Sequence, residues 1–451
     1  MDKELIEKAL KYHSEGKAGK IEIQPSKRAD TPKDLSLAYS PGVAVPAMEI
    51  DKDRWKAYRY TNKGNLVAVV SNGSAVLGLG NIGAVASKPI MEGKAMLFKL
   101  YADIDAFDIE LSDEEPERII TTVQSLSPTF GGINLEDIKA PECFYIEERL
   151  RSLLDIPVLH DDQHGTAVTV AAALINACEI TGRKITDVKT VICGAGSAGI
   201  STAKMLLTLG IRRENIAMVD SKGVIRNDRN DIDKYKRLFA TDSDIRTLDD
   251  AVRGADVFIG LSKGNILIDE AVLSMAENPI IFALANPTPE IDYTHARAIR
   301  PDAIVATGVS NNPNQINNVL AFPYLFRGAL DTLSTTINEP MKLAAAHAIA
   351  GTARKYTPKS IEERYNRRLM FGRDYILPTP GDTRLITEVS MAVAKAAMES
   401  GVARRGIASF KEYAATLLQR IDNKNYFTRE RIQHKGLKRT NINSNSREHE
   451  F

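Results

Sequence analysis

The 451 residues exceed what one ordinary hydrophobic core serves, so two or three domains of roughly 100–200 residues are expected. Apolar residues make up 43% and charged residues 26%, and 59 basic against 58 acidic side chains leave a net charge of +1, which argues against a general nucleic-acid binder built on a basic surface. Three cysteines, Cys143, Cys178 and Cys193, fit no zinc spacing and are odd in number, as expected of unpaired thiols in a reducing cytoplasm.

In chain order, residues 3–13 have the spacing of a short amphipathic helix. The opening Met1-Asp2-Lys3-Glu4-Leu5 lacks the apolar core of a secretory or transit peptide. Gly16 to Lys33 is polar, broken by Gly and Pro, and reads as loop. A strand is predicted at Leu66 to Val70, then a glycine-rich turn and a helix from about Ile82 to Phe98. An acid-bounded apolar piece follows from Ile104 to Leu111, and a helix over Glu117 to Ser125. From Val188 onward, short β-branched runs (Val188–Cys193, Ile216–Asp220, Val257–Gly260, Ile280–Leu284 and Ile304–Thr307) are spaced widely enough for crossover helices. That alternation implies a parallel sheet covered on both faces. Beyond about Ala321 the chain turns helical, with Ala-rich segments at 342–354 and 389–404. The basic stretch Arg429 to Arg439 and polar residues 441–451 read as a solvated tail. No run of about 18 apolar residues occurs, so no membrane span is predicted.

Two stretches fit G-x-G-x-x-G: Gly78-Leu79-Gly80-Asn81-Ile82-Gly83 and Gly194-Ala195-Gly196-Ser197-Ala198-Gly199. The second follows a Val/Ile strand, opens a helix, and is followed about twenty residues later by Asp220 at the end of the next strand. Its glycines let the backbone approach a pyrophosphate, which the helix N-terminus then favours. The first match has no evident βαβ unit and no acid ending a following strand, and reads as a turn in another domain. Asp220 leans the cofactor towards NAD by repelling a 2′-phosphate, whereas Lys222 and Arg226 leave NADP open.

Two acidic groups interrupt apolar surroundings: Glu136-Asp137 after Phe130-Gly131-Gly132-Ile133-Asn134-Leu135, and Asp161-Asp162 within His160-Asp161-Asp162-Gln163-His164-Gly165-Thr166-Ala167. Carboxylates are hard ligands suited to Mg²⁺ or Mn²⁺. The residues alone leave open whether these acids hold a metal, cap helices or pair with Arg. His160 and His164 lack the intervening Glu of a zinc protease motif. Lys94, in Met91-Glu92-Gly93-Lys94-Ala95-Met96, lies among apolar residues that lower a lysine's pKa and suit a base. By pattern it is not separable from Lys99. Tyr39, before Ser40-Pro41-Gly42, reads by itself as a turn residue.

Taken in order, Leu35-Ser36-Leu37-Ala38-Tyr39-Ser40-Pro41-Gly42-Val43-Ala44, Val76-Leu77-Gly78-Leu79-Gly80-Asn81-Ile82-Gly83, Glu92-Gly93-Lys94-Ala95, Leu135-Glu136-Asp137-Ile138, the His160–Ala167 segment, Ala285-Asn286-Pro287-Thr288-Pro289-Glu290 and Pro313-Asn314-Gln315-Ile316-Asn317-Asn318 resemble the malic enzyme family, in its shorter prokaryote-like members, over about residues 16 to 405. The resemblance implies oxidative decarboxylation of L-malate to pyruvate and CO2, with NAD(P) and Mn²⁺ or Mg²⁺, in a cytoplasmic homodimer. It implies Lys94 as general base, Tyr39 as the acid that protonates C3, and Asp161 as the neighbour that tunes them. It also implies Glu136, Asp137 and Asp162 as metal ligands, and Asn286 and Asn318 as contacts to cofactor and substrate. Cofactor contacts fall on Gly194, Ala195, Gly196, Ser197, Ala198, Gly199, Asp220 and Asn286; substrate contacts fall on Lys94, Asn286 and Asn318. The chain departs from the family at Ala75, where larger members carry a carboxylate-binding Arg, at Asn72 and Asn81, where relatives have Asp, and at Ser262-Lys263-Gly264 in place of Ser-Ala-Pro-Gly. The acyltransferase-like extension of long bacterial members is not expected.

The expected architecture is α/β. It has an N-terminal α/β substrate and metal domain (1–160) and a doubly wound, Rossmann-like NAD(P)-binding domain (161–325). A helical C-terminal part (326–440) packs back on the others, and a tail follows (441–451). Two other functions compete: an amino-acid-type dehydrogenase, which needs no metal, and a non-catalytic dinucleotide sensor, which needs neither Lys94 nor Tyr39.

Overall fold

The structure is a computed structural model and describes residues 3–76 and 78–421, so the tail expectations from Arg429 onward lie outside the described residues. The first sheet contains β1 (Leu66–Ser71), β2 (Asp105–Glu110), β3 (Gly132–Leu135) and β4 (Val158–His160), all parallel, in the order β2-β1-β3-β4. Every residue of β1 is buried, as befits a central strand covered on both faces.

One sequence expectation is corrected here. The first glycine-rich stretch does begin a βαβ unit: β1 leads through the helix Gly83–Ala102 to β2, which pairs with it in parallel from Leu66↔Asp105 to Ser71↔Glu110. Its second strand also ends in an acid, Glu110. All six residues of β2 are only half-buried, so its short acidic sequence lacks the apolar run that marked the later strands.

The second sheet contains β5 (Thr190–Cys193), β6 (Ile216–Asp220), β7 (Gly223–Val224), β8 (Val257–Gly260), β9 (Ile280–Ala283) and β10 (Ile304–Thr307), in the order β10-β9-β8-β5-β6-β7. All pairs are parallel except β6 with β7. The chain runs from β5 out to β7, then returns to build β8, β9 and β10 on the other side. The strand order therefore reverses between β5 and β8, where an open α/β sheet has its ligand crevice.

The helix Asp161–Thr181 starts at the end of β4 and leads to the second sheet. Its Ala- and Val-rich middle is buried, letting the helices Ser197–Thr208 and Glu339–Arg354 pack close. The helix Phe322–Asp331 returns to the first sheet, where Phe98 meets Phe322 and Phe326 edge-on at 4.7 and 5.3 Å between ring centroids. The second Ala-rich helix, Leu385–Glu399, stops short of the expected 404 because Gly401 takes a left-handed conformation (φ 74°) and the Val402 N–H turns back onto the Ala397 carbonyl. One continuous core joins both sheets and these helices. The helices Lys3–Ser14, Pro32–Ala38 and Ala44–Lys52 are different: none has a buried residue. Among the described residues no helix is long and apolar enough to cross a membrane.

Candidate active site

The carboxylates come together because they follow the C-terminal ends of adjacent parallel strands. Glu136 and Asp137 follow β3, and Asp161 and Asp162 follow β4. Asp137 has φ 53°, a left-handed conformation that Asp tolerates better than most residues. Its N–H donates to Asp162 Oδ2 at 2.8 Å, tying the two strand ends.

Lys94 reaches this cluster from the helix Gly83–Ala102. Its Nζ lies 2.5 Å from Asp161 Oδ2 and 2.7 Å from Glu136 Oε1, and 4.2 Å from the centroid of the Phe322 ring. Asn318 Nδ2 donates to the same Asp161 oxygen at 2.5 Å, and Asn134 Nδ2 donates to Glu136 Oε2 at 2.9 Å. The environment distinguishes Lys94 from Lys99, which pairs with Asp103 and Asp105 at the surface.

The protonation balance differs from the expectation. Burial alone depresses the Lys94 ammonium, but Asp161, Glu136 and Asp162 outweigh it and hold its pKa well above the ordinary lysine range. The acids shift upward. Burial, with repulsion from Asp162 and Glu136, pushes Asp137 to about 9. Burial dominates the rise of Glu136 and Asp161 to about 7 and of Asp162 to about 6, despite the opposing Lys94 charge.

Among the described residues no group of three His, Cys, Asp or Glu side chains stands arranged around a metal position. Glu136 Oε1 faces Lys94, and Asp162 Oδ2 accepts the Asp137 N–H. The donor set nevertheless suits a hard divalent cation. It offers only carboxylate oxygens, crowded until they take up protons, and the buried Asp161 Oδ1 behind them has no hydrogen-bond partner. His160 and His164 form no zinc pair: His164 is tied to Glu147 at 2.9 Å and to Lys342 at 3.1 Å, and the buried His160 has Nδ1 3.7 Å from Asp162 Oδ2.

A cavity of about 420 Å³ connects the acids to the second sheet. Asp137, Asp162, Ser197, Asn286 and Asn318 line it, and so does Ala75, which adds no charge. A second cavity, of about 550 Å³, runs from Gly194, Ala195 and Gly196 to Asp220. Gly196 and Ser262 line both, so the glycine-rich loop lies at the junction. A Cβ at Gly199 would stand 1.8 Å from the Gly194 carbonyl oxygen, which is why the third glycine is needed for the loop to fold onto its helix. The helix Ser197–Thr208 then presents its first N–H groups at that junction, a suitable place for phosphate.

Two expected residues stand differently. Asp220 ends β6 as expected, but Arg229 at 2.8 and 2.9 Å and Lys236 at 3.1 Å neutralise it, so it is held below the usual carboxylate range although burial alone would raise it. Tyr39 is 72% exposed at the end of the helix Pro32–Ala38, and among the described residues its hydroxyl has no hydrogen bond. The first glycine-rich stretch contributes Gly78 to the smaller cavity, so it serves the site without forming the dinucleotide loop.

Sequence reasoning missed Glu290, although it closes the quoted Ala285–Glu290 segment. Its fully buried carboxylate accepts the N–H groups of Ser262 at 2.9 Å and Ala285 at 3.0 Å, joining the loops after β8 and β9 beneath the cavity. The three cysteines are free and buried, and burial raises Cys178 to about 12.

Comparison with known proteins agrees with this arrangement. Residues 18–151 match the family model "Malic enzyme, N-terminal domain", and residues 163–365 match "Malic enzyme, NAD binding domain". The NADP-dependent malic enzyme of Haemophilus influenzae is 53% identical over 95% of this chain, but the match spans only 57% of that relative's length. That of Halomonas elongata is 54% identical over 88% of this chain and 94% of its own. The crystal structure of malic enzyme from Pyrococcus horikoshii superposes with a TM-score of 0.84 at 41% identity, covering 93% of this chain and 96% of that one. With both domain models matched in succession, and the lysine and carboxylates gathered at the ends of β3 and β4, the chain belongs to the malic enzyme family.

Proposed function

We propose that this chain oxidises L-malate with a nicotinamide dinucleotide and a divalent cation, Mn²⁺ or Mg²⁺, and releases pyruvate and CO2. The observation that carries this is Lys94 Nζ held between Glu136 and Asp161, beside a cavity shared with the glycine-rich loop. Glu136, Asp137 and Asp162 would hold the cation, which would supply electron withdrawal at the C2 oxygen, and the dinucleotide would supply the acceptor for the C2 hydride.

The chain's own groups do the proton work. Lys94 takes the proton of the C2 hydroxyl. Asp161, Glu136 and Asp162 favour the lysine's protonated form, and a cation held by Glu136 and Asp162 would draw their charge away from it. Asp161 and Asn318 fix the lysine's position. Asn286 and Asn318 orient substrate and nicotinamide through their amides. Tyr39 gives a proton to C3 of the enolate left after CO2 departs. Its exposure, with that of Leu37 and Val45 at 66% and 60%, supports a homodimer that covers this face and takes Tyr39 out of water. The preference for NAD drawn from Asp220 loses its basis, because that carboxylate is already neutralised. A cytoplasmic location is part of the proposal.

The test follows absorbance of the reduced nicotinamide with L-malate and Mn²⁺, with and without a chelator. Metal-dependent reduction that yields pyruvate supports the proposal. Reduction that survives the chelator, or that yields oxaloacetate, overturns it in favour of a simple dehydrogenase.

A further inference from the structure

The turn that carries Asp161 and Asp162 is held on its cavity side by Lys94, Asn318 and the Asp137 N–H. A second set of buried charges grips the same turn from the other side. An α-helix rotates by about 100° per residue, so Asp162 and His164 of the helix Asp161–Thr181 point in opposing directions. Asp162 and Thr166 face the smaller cavity, whereas His164, Ala167 and Val168 face a crevice lined by Glu339 and Lys342.

Three side chains meet there, each from a different helix. Glu147 comes from Glu142–Leu153, His164 from Asp161–Thr181 and Lys342 from Glu339–Arg354. Glu147 and Lys342 are only 4% and 2% exposed. Lys342 Nζ lies 3.1 Å from His164 Nδ1 and 2.5 Å from Oε1 of Glu339 at the surface. A lysine ammonium only donates, so Nδ1 accepts and the ring proton sits on Nε2, 2.9 Å from the Glu147 carboxylate. Glu147 Oε1 also accepts the His160 N–H at 3.1 Å. His160 is the N-cap of the helix, and its own side chain makes no cap. The line Lys342, His164, Glu147, His160 N–H therefore grips the acid pair from both flanks, at positions 160 and 164. None of the three side chains lines either cavity. Buried ions add little to stability over apolar packing, so packing alone does not account for them.

We propose that Glu147, His164 and Lys342 are positioning residues that set the first turn of this helix, so that Asp162 faces the divalent cation and Asp161 faces Lys94. This rests on the reading of Glu136, Asp137 and Asp162 as cation ligands. Breaking the line lets the turn shift and moves both carboxylates, although no ligand is lost.

The test is calorimetric titration of the full chain with Mn²⁺, with kcat and KM for malate and Tm measured on the same preparations. H164L removes both ring hydrogen bonds, and K342M cuts the line at its far end. H164Q keeps an acceptor and a donor on one side chain. H164L and K342M are each expected to weaken Mn²⁺ binding and lower kcat by about tenfold or more, with the dinucleotide KM changed less than about threefold. H164Q is expected to stay within about threefold of wild type in Mn²⁺ affinity and kcat. A purely structural role lowers Tm and leaves the folded enzyme's Mn²⁺ affinity and kcat alone. Both values within about threefold of wild type in H164L, whatever its Tm, therefore overturn the positioning role, as does an H164Q enzyme as impaired as H164L. If H164L does not fold, K342M is read by the same criteria. Mn²⁺ binding that weakens in H164L, with no malate turnover in wild type, overturns the malate reading and leaves the positioning role intact. No Mn²⁺ bound by wild type overturns both.

Discussion

Replacing Gly165 with alanine tests the placement of Lys94 without removing a charged group. A Cβ at Gly165 would lie 1.9 Å from Asp161 Oδ1, 2.9 Å from its Cγ and 3.0 Å from Asn318 Cβ. Ordinary contact needs about 3.4 Å or more, so the carboxylate must retreat by more than about 1 Å. Asp161 is fully buried and holds both Lys94 and Asn318 at 2.5 Å, so its displacement carries the base with it. A misplacement of that size costs on the order of 10²-fold in rate, or about 2.7 kcal/mol of activation free energy. The backbone works the other way: position 165 lies in the helix Asp161–Thr181, where Ala is favoured over Gly by about 1 kcal/mol. The expected result is kcat for malate oxidation reduced about 100-fold with little change in Tm. Steady-state kinetics and calorimetry on the same preparation read both. A G165A enzyme whose kcat stays within about threefold of wild type would refute the claim that Asp161 sets the lysine's geometry.

Three further outcomes are expected. Folded-state pKa values raised to about 9 for Asp137, about 7 for Glu136 and about 6 for Asp162 lie above those of the unfolded chain, so the stability they contribute to the metal-free protein is full at low pH and lost as pH rises through those values. Mn²⁺ relieves that repulsion and displaces protons, so it should raise Tm more at alkaline than at mildly acidic pH, with proton release seen by calorimetry in buffers of different ionisation enthalpy; an equal shift at both pH values would count against the ligand assignment. Arg327→Met removes the buried guanidinium that holds Asp331 at 2.6 and 2.8 Å and leaves that carboxylate only Tyr413 and Arg420, so it should destabilise the fold by about 3 kcal/mol in urea melts; a loss below about 1 kcal/mol would show that the pair does not anchor the C-terminal helices. Val45→Asp on the exposed apolar face should give a monomer by light scattering with malate turnover lost, and a fully active dimer would remove that face from the interface.

Much was legible from local pattern. The runs Ile216–Asp220, Val257–Gly260 and Ile304–Thr307 are strands with those same ends, because a parallel strand covered by helices writes itself as a short β-branched run. The glycine loop was legible too, since its requirement is steric and confined to six residues. β2 was not recognised as the partner of β1, because it is half-buried and has no such run. Candidate site residues could be found by their order along the chain, but their ionisation could not. Lys94 has apolar neighbours in sequence, which suggested a lowered pKa, yet its charge is decided by Asp161, 67 residues away, and by Glu136. Asp220 looked like a free acceptor until Arg229 and Lys236 were folded onto it. The apolar strands and the turn of the dinucleotide loop could be read from local pattern, since both depend on short-range sterics and burial. Which charges meet emerged only on folding, because electrostatic balance in a buried site depends on distance in space and not along the chain.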